Sequence, residues 1–103
     1  MNKTTTLTQE AQAAIAQARF DALLAISAFA MASLARESRA TGTKVNKKTA
    51  ARCARDDGAG VMYDLARLAA TDNPGKMRVL GAKYWRRARI NAKAAADLNK
   101  DGE

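Results

Sequence analysis

From about Leu7 to about Arg39 the chain has no proline and no glycine, and β-branched residues are sparse. Those are the residues a helix interior tolerates least, so the stretch predicts one helix of unusual length. At ~1.5 Å per residue it spans about 50 Å. A compact chain of ~100 residues has a radius of gyration near 13 Å. The helix must therefore break, near Ser27 or Ser33, or project and pair with a second copy. Its middle is apolar on two sides. Ile15, Ala22, Ile26 and Phe29 form one stripe, and Phe20, Leu24, Met31 and Leu34 another. A helix apolar all round is normally surrounded by protein. Ala11, Ala14, Ala18, Ala22, Ala25, Ala28 and Ala32 step by three and four, a seam of small residues suited to close packing. A homodimer through helix 7–40 is the assembly that seam suits.

The rest of the chain is punctuated by helix signals. Thr6 or Thr8 can cap the first helix, with Glu10 in its first turn at the positive end of the helix dipole. Gly42 within Thr41-Gly42-Thr43 suits the left-handed residue past the last turn. Asn46 is a good N-cap for a short basic helix, Lys47–Arg55. Asp56-Asp57-Gly58-Ala59-Gly60 is expected to interrupt it, and Val61, Leu65 and Leu68 mark a further helix to about Thr71. Asn73 followed by Pro74 is a strong helix start. The last helix then runs to about Leu98, with Met77, Leu80, Gly81, Tyr84, Ala88, Asn91, Ala95 and Leu98 on its core side. Gly81 would let a neighbouring helix approach. No strand pattern or repeat is visible. The expected fold is all-α: a small bundle of three to four helices, with a long apolar N-terminal helix and a basic C-terminal one. Residues 1–6 are expected to be a flexible N-terminus, 7–98 one helical domain, and 99–103 a frayed acidic end.

About a quarter of the residues are alanine. Alanine favours helix but buries little area, so such a core relies on close helix approach or on a partner chain. Histidine is absent and Cys53 is the only cysteine. That excludes an internal disulfide, a thiolate–imidazole pair and the usual zinc sites. Cys53 is expected to pack as a small hydrophobe in a reducing compartment. Ala22–Ala35 is uncharged but shorter than the ~20 residues of a membrane span. Ala30-Met31-Ala32 resembles a signal cleavage site, but the segment before it is long and carries Glu10 and Asp21. The cytoplasm is the expected location.

The net charge of +8 is unevenly spread. Residues 1–35 are neutral overall. Residues 36–55 hold Arg36, Arg39, Lys44, Lys47, Lys48, Arg52 and Arg55 against Glu37 alone. Residues 76–93 hold Lys76, Arg78, Lys83, Arg86, Arg87, Arg89 and Lys93 with no carboxylate. On a helical wheel Arg86, Arg89 and Lys93 point away from the core stripe. Lys76, Lys83 and Arg87 take one flank, and Arg78 and Trp85 the other. Without carboxylates at i,i+4 these cations repel one another, and an anionic partner would relieve that repulsion. Trp85 would either stack on a base or close the side of the core.

These features predict a non-enzymatic nucleic-acid-binding protein that contacts the phosphate backbone of DNA or RNA. The site would be Lys76, Arg78, Lys83, Trp85, Arg86, Arg87, Arg89 and Lys93. Lys44, Lys47, Lys48, Arg52 and Arg55 would form a secondary patch. A helix at 59–71, a turn and a basic helix are compatible with a helix-turn-helix, but few Asn, Gln or Ser residues accompany the arginines, so phosphate contact fits better than base reading. The alternative is a phage or mobile-element inhibitor or adaptor that docks its basic face on an acidic host protein. A membrane partner is disfavoured, because the apolar side of the last helix is mostly alanine, tyrosine and glycine. No cofactor or metal is expected. Catalysis is not expected either: the carboxylates are few, Asp56 and Asp57 point apart on a helix, and no phosphate-binding glycine loop is present.

Overall fold

The computed structural model describes residues 8–101, with side chains through Leu98. The expected flexible N-terminus at 1–6, the alternative cap Thr6 and the last two residues lie outside that range. Three α-helices follow one another: α1 (Gln9–Thr41), α2 (Lys47–Ala70) and α3 (Pro74–Asp101). The fold is all-α.

The caps form where local chemistry places them. Thr8 accepts the Ala11 N–H at 3.0 Å and starts α1. Gly42 ends it at φ 70°, a left-handed conformation that glycine adopts without a Cβ penalty. Asn46 Oδ1 accepts from Lys48 N and Thr49 N, while Thr49 Oγ1 accepts from Asn46 N at 2.8 Å. This reciprocal box satisfies several orphan groups at the start of α2. Asn73 Oδ1 accepts the Lys76 N–H at 3.1 Å ahead of α3.

α1 neither breaks nor projects from a compact core. It stays whole over 33 residues, and the other two helices are long enough to run beside it. The result is a rod of 63 × 22 × 16 Å with a radius of gyration of 17.1 Å. α2 returns antiparallel to α1, and α3 runs parallel to α1. Cross-helix pairs fix the register: Gly81 beside Ala22, Phe29 on Tyr84, and Arg39 donating to Ala95 O at 3.1 Å.

The core is a seam between α1 and α3. Ala18, Ala22, Ala25, Ile26 and Phe29 meet Met77, Leu80, Tyr84 and Ala88, and α2 adds Leu68. The Phe29 and Tyr84 rings meet edge to face with centroids 5.3 Å apart.

Several expectations need correction. α2 is continuous through Asp56–Gly60. Each glycine costs a helix only about 1 kcal/mol relative to alanine. The capping box before them and the packing of Val61, Leu65 and Leu68 after them outweigh that cost. No separate helix at 59–71 exists, so the helix-turn-helix reading loses its first helix. The middle of the alanine seam is occupied from within the chain: Ala18, Ala22 and Ala25 are buried against α3, while Ala14 is exposed. The second apolar stripe of α1 is not surrounded, for Phe20, Leu24 and Met31 are exposed. α3 continues three residues past Leu98, as no breaker precedes Gly102. Leu98 itself is exposed rather than core.

Candidate functional site

The antiparallel return of α2 determines where the two basic blocks lie. Cys53 Sγ donates to Ser33 O, Arg52 pairs with Glu37, and Arg36 donates to Asn91 Oδ1 at 2.9 Å. These contacts bring the C-terminal end of α1, the N-terminal end of α2 and the C-terminal half of α3 into the same half of the rod. Arg36, Arg39, Lys44, Lys47, Lys48, Arg52 and Arg55 thus join Arg86, Arg87, Arg89 and Lys93 there. The carboxylates in that half are Glu37, Asp56, Asp57 and Asp97 among the described side chains. In the other half charge is close to balanced: Arg19 pairs with Asp72, and Lys83 and Arg67 with Asp64.

The cations of α3 are divided by their environments. Lys83 leans onto α2 and donates to Asp64 Oδ2 at 3.0 Å. Arg87 lies over the Phe29 and Tyr84 rings, 5.8 and 5.6 Å from their centroids. Lys93 pairs with Asp97 at 3.2 Å, an exposed i,i+4 contact. Lys76, Arg78, Arg86 and Arg89 are exposed and pair with no carboxylate among the described residues. Lys83 is therefore set apart from the free cations. Its partner lies 19 residues away on another helix, out of reach of any i,i+4 inspection. Within the secondary patch Arg52 is held by Glu37, while Lys44, Lys47, Lys48 and Arg55 are exposed and without a carboxylate partner among the described residues. Trp85 is 43% exposed and lies on the same flank as Arg78 and Arg89, so it does not close the core.

Between α2 and α3, over α1, lies a cleft of about 490 Å³. Asp56 and Asp57 line its α2 wall, Arg87 and Asn91 its α3 wall, and Phe29 its floor. The Cys53 thiol sits at its side and half-buried. Burial pushes its pKa up, and Glu37, Asp57 and Asp56 push it further, so it stays a thiol rather than a nucleophilic thiolate.

One buried polar cluster was missed from sequence. Asp64 is 3% exposed and accepts from Tyr84 Oη at 2.6 Å and Lys83 Nζ at 3.0 Å. Burial alone would raise its carboxyl pKa. The hydrogen bonds from Tyr84 and Lys83, with the charges of Lys83 and Arg67, outweigh burial and hold it below the ordinary carboxylate range. The same contact pushes the Tyr84 phenol up to about 12, through burial first and the Asp64 carboxylate second. The sequence signal was the register: Asp64 falls between Val61 and Leu68 at core spacing. Its geometry is structural, a strut between helices.

The described residues hold no group of three or more potential metal ligands. The chain matches no protein family, no curated protein and no solved structure. Surface chemistry must therefore carry the functional reading.

Proposed function

We propose that this chain binds nucleic acid without catalysis, through phosphate contacts made by the cation-rich half of the rod. The observation that supports this is the gathering there of exposed cations from α1, α2 and α3 with few carboxylates to neutralise them. Arg36, Arg39, Arg52 and Arg87 also tie helices together, but Lys48, Arg55, Arg86 and Arg89 make no such contact and gain the fold nothing, because like charges repel, and a polyanion relieves the repulsion. Arg86 and Arg89 on α3, with Lys48 and Arg55 on α2, are the residues assigned to phosphate. Arginine and lysine with few amide companions suit backbone contact over base reading.

The test is binding of labelled duplex and single-stranded oligonucleotides across a salt series. Each phosphate contact contributes about 0.9 to the slope of log affinity against log salt on duplex DNA. Replacing Arg86 and Arg89 with alanine should flatten the slope and weaken binding at every salt. Unchanged affinity in that variant would remove the reading. A second reading, docking on an acidic protein surface, is favoured by Trp85. An exposed tryptophan flanked by arginines is the composition of an interface anchor. No oligonucleotide binding at low salt, with Trp85-dependent capture of one acidic protein, would select it.

A further inference from the structure

α1 carries two apolar faces, and the fold uses only one. Phe20, Leu24 and Met31 share a line on the side turned away from α3 and are 55%, 46% and 68% exposed. Leu23 beside them is 41% exposed. Next to this ridge, between α1 and α2, runs a groove of about 270 Å³. Ala30 and Leu34 form its α1 side, and Ala50, Ala54, Gly58 and Val61 its α2 side. Asp57 is the one charged residue that lines it. α1 itself bears no charge between Asp21 and Arg36. Water-exposed apolar surface of this extent is unusual in a chain that works alone.

We propose that a second copy of this chain covers this face, pairing the Phe20–Leu24–Met31 ridge of each copy with the small-residue groove of the other. Two observations select that occupant. Ridge and groove lie side by side on one surface, so a two-fold axis can seat both ridges at once, the self-complementary arrangement of an isologous dimer. Charge points the same way. Two chains of +8 repel, and they meet at least cost through a face that bears no cation. An anionic bilayer is a poorer fit, although α1 is long and apolar enough to cross a membrane by length and composition. A surface-bound helix needs its cations beside its apolar face, and those of α3 lie across the molecule from it. The paired form would carry its α3 cations on two opposite outer sides. The pairing is independent of nucleic-acid binding, since neither face contains residues of the other.

The experiment is sedimentation of the full chain, freed of nucleic acid by nuclease and high salt. It compares the native sequence with Met31→Lys and, separately, Leu24→Lys. The native chain is expected to form dimers, and each variant to dissociate about tenfold or more readily, as an unpaired charge in an apolar contact requires. Circular dichroism should show both variants as helical as the native chain, because both side chains are exposed in the single copy. A native chain that stays monomeric at every concentration overturns the proposal, and so does a dimer that both variants leave intact. Flotation of the monomeric chain with anionic phospholipid vesicles, lost in Met31→Lys, would overturn it in favour of a lipid surface.

Discussion

The Tyr84 hydroxyl donates to Asp64 Oδ2 at 2.6 Å and, with Lys83, ties α2 to α3. The two helices otherwise barely touch, because both pack on α1. Tyr84→Phe removes this bond and leaves the buried carboxylate with Lys83 and the more distant Arg67. A hydrogen bond to a charged group contributes about 1.5–3 kcal/mol, and a loss of that order is expected in urea unfolding. Asp64→Ala should cost at least as much, since it leaves a buried hydroxyl without its acceptor. A loss below about 0.5 kcal/mol for both variants would show the strut to be dispensable.

The pH dependence of stability follows from the same pair. The Asp64 carboxyl is held low in the folded state. Its contribution is therefore present above the unfolded carboxylate value of ~3.9 and is lost as pH falls below it. Tyr84 is raised to about 12. Its contribution is present below the unfolded phenol value of ~10 and is lost as pH rises towards the folded value. Melting temperature should fall at both extremes. Tyr84→Phe should flatten the alkaline limb, and Asp64→Asn the acid limb. Limbs that stay unchanged in these variants would place the titrating groups elsewhere.

Gly81 of α3 packs against the backbone of Ala22 in α1. A Cβ added at Gly81 would lie 3.5 Å from Ala22 Cα, an ordinary van der Waals contact. The approach expected from sequence is real, yet it does not require glycine. Gly81→Ala should stabilise the protein by up to about 1 kcal/mol, through helix propensity and a less flexible unfolded chain. Ala22→Leu at the facing position should destabilise it by about 1–3 kcal/mol, because Ala22 is fully buried and the seam has no room. Thermal melts of the two variants should move in opposite directions.

Arg19 closes the far end of the rod. Its guanidinium donates to Thr71 O at 2.8 Å and Leu68 O at 3.4 Å, the last carbonyls of α2, and pairs with Asp72 at 3.2 Å. The ion pair is exposed and contributes little. The carbonyl bonds are the part that matters, because they satisfy acceptors that a helix end leaves open. Arg19→Ala should cost about 1–2 kcal/mol, whereas Asp72→Ala should cost less than about 0.5 kcal/mol. Equal costs in chemical denaturation would contradict this division.

What was legible in the sequence was whatever short-range chemistry controls. Thr8, Gly42, Asn46 and Asn73 act as caps at the positions their side chains or backbone freedom allow. The core stripe of α3 from Met77 to Ala88 was legible because period 3.6 fixes it. What depends on distant partners was not. The glycines at 58 and 60 look like a break, but the packing of Val61, Leu65 and Leu68 carries the helix through them. Lys83 looks free because Asp64 lies on another helix. The alanine seam looks open because the helix that fills it comes later in the chain. The basic helix was visible as a charge block. The meeting of the first block with the later part of the second in one half of the rod required the antiparallel return of α2.

That gathering has a consequence for stability as well as for binding. Lys48, Arg55, Arg86 and Arg89 lie in one half of the rod and pair with no carboxylate among the described residues. Their repulsion opposes folding and weakens as added salt shortens the Debye length from about 30 Å at 0.01 M to about 8 Å at 0.15 M. The native chain should therefore melt higher in moderate salt than in very low salt. Replacing Lys48, Arg55, Arg86 and Arg89 together with glutamine should raise the low-salt melting temperature and shrink its salt dependence. The same variant should lose affinity for oligonucleotides. Opposite changes in stability and binding are the signature of residues retained for a partner rather than for the fold. A low-salt melting temperature that falls in this variant would instead make the cations part of what holds the helices together.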